Sequence, residues 1–279
     1  MGPLLDPFID NEFMQRALLA GGLVAVACAI VGTFVVLRGL AFIGDALAHG
    51  VLPGIAGAIL LGLPGIGGAV VGAAVMIAGV TVVRRRSRLS GDTAIGLLFV
   101  GMLALGVVIV SRSDSFSGDL TSILFGEVLG ISWGDVWLQL GAAVTVAAVC
   151  AVCARPFLLL AFDREHALAA GFSADLYEWL LLGTVALTVV VSFQTVGTLL
   201  VFGMLIAPPA TAALAVRRIG AMMAVAAVLG VLSVAVGLLL SYNYDLAAGA
   251  SIVLVEVAAF FVVLTAQSLR RPAVRPAPA

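Results

Sequence analysis

The chain has no lysine, only 2 histidines and 3 cysteines, and just 10% of its 279 residues are charged. Each shortage excludes a class of function. An average soluble domain carries about 25% charged residues; a soluble molecule with so few could not cover its surface, which excludes an ordinary cytosolic enzyme. A formal net charge of −1 leaves no basic footprint for DNA or RNA, so no nucleic-acid partner is expected. Without lysine the chain cannot contain a Walker-type G-x-x-x-x-G-K-[ST], and any ATP must be hydrolysed elsewhere. His49 and His166 are its histidines, so an H-E-x-x-H metalloprotease site cannot be present. Cys28, Cys150 and Cys153 all lie in apolar runs and read as small packing side chains rather than a redox or metal set. The stretch Met1 to Glu12 carries Asp6, Asp10 and Glu12 and no basic residue, the reverse of a secretory signal.

What the chain has in abundance is apolar sequence: 63% of its residues are hydrophobic. The runs are continuous over roughly 20 residues, the length a membrane-crossing helix needs, and lack the alternation of an outer-membrane strand. The expectation is an all-α polytopic membrane protein in which each helix satisfies its own backbone. Nine spans are expected, near 13–37, 42–61, 64–83, 93–110, 133–154, 175–192, 195–216, 219–241 and 246–267; the count is eight if one stretch only re-enters. Connections are short, so residues 1–279 read as a single transmembrane domain with a proline-rich tail at 272–279.

Numbering the gaps alternately places 12 of the 14 arginines on one side and only Arg16 and Arg112 on the other. The arginine-rich side is assigned to the cytoplasm, with the N-terminus outside and the C-terminus inside. A short interfacial helix is expected from Asp119 to Gly130 on the outer side. A second is expected on the inner side at about 162–171, with Asp163 as its cap and Gly171 just past its end. It carries Arg164, Glu165 and His166. It reads equally as a docking element for another protein and as a solvated turn.

Ionisable groups within spans are costly and are candidates for function. Asp45 and His49 stand four residues apart, on one face of a helix, where a carboxylate and an imidazole can share a divalent ion. They could equally be a hydrogen-bonded pair that fixes packing. Pro53 lacks an N–H and leaves the His49 carbonyl without its helical partner, free for water, an ion or a kink. Glu256 lies deep in the last run and is the most obvious further ligand, although an interhelical hydrogen bond would also account for it. The consecutive Pro208 and Pro209 are expected to break or kink the seventh span near Ala207, as in helices that line transport pathways.

These residues also carry a resemblance. Arg38-Gly-Leu-Ala-Phe-Ile-Gly-Asp-Ala-Leu-Ala-His-Gly-Val-Leu-Pro-Gly54 resembles the signature of the zinc/manganese/iron permease family of bacterial ABC importers, as does the block from Val196-Gly-Thr-Leu-Leu-Val to Ala207-Pro-Pro-Ala-Thr-Ala212. Asp92-Thr-Ala-Ile-Gly96, Leu124-Phe-Gly126 and Leu240-Ser-Tyr with Asp245 and Gly249 add to it, over about Phe13 to Ala266. The resemblance implies a multi-pass permease of the bacterial plasma membrane with the fold of the vitamin B12 and siderophore importers. It implies a homodimer with the pathway on its two-fold axis, two cytoplasmic ABC ATPase subunits, and an extracytoplasmic solute-binding protein that delivers the metal. By the same resemblance Asp45 and His49 contact the transported ion, zinc or manganese or iron, and Asp163–Gly171 is the coupling helix. The doubled proline departs from the family's more usual single one, and Glu256 matches no family position.

Ligation needs a neutral imidazole and an ionised carboxylate, so uptake is expected to decline as pH falls through the histidine range. The competing class is an ion-coupled secondary metal transporter that works without an ATPase, a reading favoured only by Glu256. An intramembrane serine protease would need a histidine near a serine, and the one candidate, His49, is already beside Asp45.

Overall fold

The computed structural model describes residues 6–86, 91–111 and 130–270, and every regular element among them is a helix. In chain order these are α1 (Asp6–Asp10), α2 (Glu12–Leu37), α3 (Phe42–Gly50), α4 (Leu52–Leu60), α5 (Gly65–Arg86), α6 (Gly91–Val110), α7 (Trp133–Val152), α8 (Ala154–Phe162), α9 (Arg164–Ala169), α10 (Ala174–Val196), α11 (Thr198–Ala215), α12 (Ile219–Tyr244) and α13 (Ala248–Arg270). Among the described residues, nine helical segments are long and apolar enough to cross a membrane, in agreement with the hydropathy of the sequence. The expected outer helix from Asp119 to Gly130, the Leu124–Gly126 block and the tail at 272–279 lie outside the described residues, apart from Gly130.

Helix α2 is the centre of the bundle, with 67% of its most apolar window buried, and it packs against α7, α10, α11 and α12. Helices α3 to α6 form a second group, joined to the first through α10 and α11. Close approach depends on glycine. A Cβ on Gly54 would lie 2.0 Å from the carbonyl oxygen of Gly68, and one on Gly68 would lie 2.1 Å from that of Gly54, so α4 and α5 meet backbone to backbone. Helix α6 lies at the periphery, with Leu97, Val100, Val107 and Val108 exposed as a surface for lipid.

The second span is two helices rather than one. Helix α3 ends at Gly50 and α4 restarts at Leu52, with Pro53 in its first turn, where a missing N–H costs nothing. The His49 carbonyl that proline deprives of its usual partner is nonetheless satisfied, because it accepts a backbone N–H of the cap that closes α3. The expectation of a free carbonyl at this point is thereby corrected.

For the seventh span a break or kink was expected, and the break is absent. Helix α11 continues through Pro208 and Pro209, both buried, with no break near Ala207. Pro209 leaves the Leu205 carbonyl without a partner one turn back. That oxygen faces the bare backbone of Gly32 in α2, where a Cβ would lie only 2.1 Å away. The Thr211 hydroxyl donates to the Ala207 carbonyl at 2.7 Å, holding the turn together. The break falls earlier, at Gly197, whose φ of 80° and ψ of 165° separate α10 from α11.

Candidate metal-passage site

Helix α3 is almost entirely enclosed by its own chain. Ile43, Gly44, Ala46, Leu47, Ala48 and Gly50 are buried. Gly44 fits against Leu205 of α11, where a Cβ would lie 2.4 Å from Leu205 Cδ2, and Gly50 fits against Met76 of α5. These two contacts fix the rotation of α3. What remains uncovered is a single stripe: Phe42, 60% exposed, then Asp45 and His49, with side chains 32% and 19% exposed. At about 1.5 Å per residue, Asp45 stands about 5 Å and His49 about 10 Å along the helix from Phe42. Both therefore lie in the half of the span nearer Arg38.

His49 Nε2 lies 3.4 Å from Asp45 Oδ1. Two ligands each about 2.1 Å from a shared ion stand about 3.4 Å apart in a tetrahedral site and about 3.0 Å apart in an octahedral one. The pair thus already has the spacing of one edge of a metal site. The Phe99 ring of α6 meets the imidazole edge-on with centroids 5.5 Å apart, so the ring is held from behind. Among the described residues His49 Nδ1 is buried without a hydrogen-bond partner, a departure from the common pattern in which the second ring nitrogen is anchored.

Among the described residues, no three His, Cys, Asp or Glu side chains come together to hold an ion. Glu256 is not brought to the pair. It sits in the seam of α13 and α11, 2% exposed, with Oε2 facing Gly203, and neither carboxylate oxygen has a hydrogen-bond partner among the described residues. Pro208 and Pro209 are likewise buried, and Pro209 packs toward Gly32.

The expected inner helix is present as α9. Asp163 Oδ1 accepts from the backbone N–H of Glu165 at 2.8 Å and of His166 at 3.1 Å, which caps it. At the other end Gly171 has φ of +84°, Phe172 N–H donates to Ala167 O at 3.1 Å, and Gly171 N–H donates to Leu168 O at 3.0 Å. Helix α9 is anchored by ion pairs whose partners sequence reasoning had not singled out. Arg164 donates to Glu178 Oε2 at 3.0 Å and to Asp175 Oδ1 at 2.6 Å, and Arg84 of α5 pairs with the other oxygen of Glu178. The arginines that alternate counting placed on one side, Arg38, Arg84 and Arg164, do converge at one end of the bundle.

Residues 10–267 match the ABC 3 transport family. The chain belongs to that family. The manganese transport system membrane protein MntC of Halalkalibacterium halodurans is 40% identical over 250 residues, covering 90% of this chain and 86% of that protein. The chelated iron transport system membrane protein YfeD of Yersinia pestis is 39% identical over 258 residues, covering 92% and 86%. Among solved structures, PsaBC from Streptococcus pneumoniae in complex with Fab superposes with a TM-score of 0.84 at 32% identity, over 96% of this chain and 99% of that one. This ABC 3 permease is accordingly a multi-pass protein of the bacterial inner membrane with the helical fold of metal-importer permeases.

Proposed function

We propose that this permease subunit passes a divalent transition-metal ion, manganese, iron or zinc, along the uncovered stripe of α3 at the axis of a homodimer. The observation that carries the reading is the placement of Asp45 and His49. They form the only polar part of α3 and lie on the stripe that its own chain leaves least covered. A carboxylate turned to lipid is costly, so a second copy and water are the favourable cover. Two copies bring four protein ligands to one site, enough to fill a tetrahedral shell without water. Such a site, shared between subunits that move apart, holds the ion incompletely and releases it.

The driving force comes from partners. ATP is bound and hydrolysed on separate cytoplasmic ABC ATPase subunits, which dock on α9. A solute-binding protein delivers the ion at the opposite, extracytoplasmic end. Alternating access follows when ATPase closure pulls on α9, whose Arg164 is tied to α10 through Glu178 and Asp175. Helix α10 packs in turn on α3, so movement at α9 reaches the metal pair.

The test is ATP-driven uptake by the reconstituted importer carrying Asp45→Ala and His49→Ala together. Loss of uptake supports the reading, and uptake at the wild-type rate removes it. The second reading, an ion-coupled transporter without an ATPase, has one observation in its favour, the buried and unpartnered carboxyl of Glu256. It requires uptake by the permease alone in liposomes with an ion gradient.

A further inference from the structure

The ends of α2, α5, α8 and α10 frame a cavity of about 160 Å³, lined by Arg38, Leu40, Arg84, Leu160, Arg164 and Glu178. Three guanidinium groups here face one carboxylate, and that carboxylate is already divided between two of them. Arg84 takes one oxygen of Glu178 and Arg164 Nη1 the other, and Arg164 Nη2 reaches Asp175. Arg38 belongs to none of these pairs, and its Nε is buried with no hydrogen-bond partner among the described residues. Burial opposes its charge most strongly, Glu178 supports it, and Arg84 and Arg164 oppose it. A guanidinium does not shed its proton in a protein, so the buried Nε of this half-buried side chain lacks an acceptor rather than a charge state.

We infer that this cavity is an oxyanion site in which Arg38, backed by Arg84 and Arg164, holds a phosphate group. The space is several times the ~30 Å³ that one water occupies, and a planar guanidinium fork matches phosphate oxygens bidentately. The surroundings favour the phosphate of an acidic phospholipid over free phosphate. Arg38 directly follows the last residue of a membrane-crossing helix, Leu40 and Leu160 give the cavity an apolar flank, and basic pockets between spans on the cytoplasmic side take anionic headgroups. The site is separate from the Asp45/His49 pair and does not depend on the metal reading.

The test uses the importer complex purified in detergent and measures lipid retention by native mass spectrometry, with phosphatidylglycerol or phosphatidylcholine added, for the wild type, Arg38→Gln, Arg38→Lys and Arg217→Gln. The expected result is preferential retention of phosphatidylglycerol by the wild type and by Arg217→Gln, whose arginine is exposed and outside the cavity. Arg38→Gln should lose the preference by about tenfold or more, and Arg38→Lys should keep part of it. A single symmetric gel-filtration peak at the elution volume of the wild-type complex confirms that each variant is folded and assembled. Inorganic phosphate forms a second arm. If it raises the melting temperature of the wild type but not of Arg38→Gln, with no lipid preference, the oxyanion site stands with free phosphate as its source. Identical behaviour of the wild type and Arg38→Gln in both arms overturns the inference. So does unchanged lipid preference with ATPase coupling lost in Arg38→Gln, since the arginine would then serve the partner subunit.

Discussion

The carbonyl oxygen of Leu205 points at the bare backbone of Gly32, across the contact between α11 and α2, with room for no side chain between them. This approach answers what Pro209 takes from a continuous helix. Pro209 strips Leu205 of its helical donor, and Gly32 lets the exposed carbonyl be covered by backbone C–H rather than by lipid. The same Leu205 side chain fills the space left by Gly44 on α3. Leu205 thus links the proline segment to the helix that carries Asp45 and His49.

A Gly32→Ala substitution should therefore be costly although it adds a single methyl group. Its Cβ would lie 2.1 Å from backbone, which cannot rotate away, and overpacking of this kind costs about 1–3 kcal/mol or more. The melting temperature of the purified permease should fall clearly. Gly101→Ala in α6, where a Cβ meets nothing within 4 Å, should leave it unchanged or slightly raised.

Glu178→Gln should uncouple the permease rather than disable its metal pair. The Glu178 side chain is only 14% exposed and holds both Arg84 and Arg164. Removing its charge leaves two guanidinium groups against an amide, a loss on the order of 1–3 kcal/mol in the anchoring of α9. Uptake per ATP hydrolysed should fall, while metal bound by the resting permease stays at the wild-type level. A drop in metal binding equal to the drop in uptake would contradict this division of roles.

Glu256→Gln separates the two transport readings. The carboxyl has no hydrogen-bond partner for either oxygen, so the amide keeps its shape and loses no contact. ATP-driven uptake should continue at the wild-type rate. Its abolition, together with uptake by the wild-type permease alone under a proton gradient, would favour the ion-coupled alternative.

Much of the fold was legible in the sequence because lipid imposes a simple rule. Each span must be a continuous apolar run, and arginine marks one side, so nine spans and the clustering of Arg38, Arg84 and Arg164 could be read residue by residue. The division of the second span was legible through Pro53, and the ends of α9 through Asp163 and Gly171, since each acts on its own helix. What could not be read depends on distant partners. Nothing near Pro208 and Pro209 announces Gly32, so a break or kink was expected, and the break is absent because the helix is continuous. The Arg84–Glu178 pair joins residues 94 positions apart, and no local pattern selects Glu178 or isolates Arg38. The spacing of Asp45 and His49 indicated a shared face, but only the packing of Gly44 and Gly50 shows that this face is the uncovered one.

The central claim is that a transported ion is ligated by His49. The chain has two histidines, so the claim can be tested by spin-echo spectroscopy of Mn²⁺ bound to permease carrying ¹⁵N-labelled histidine. The account requires a histidine nitrogen coupling in the wild type and in His166→Ala, and its disappearance in His49→Ala. A coupling that survives His49→Ala, or bound manganese with no histidine nitrogen in the wild type, would contradict it.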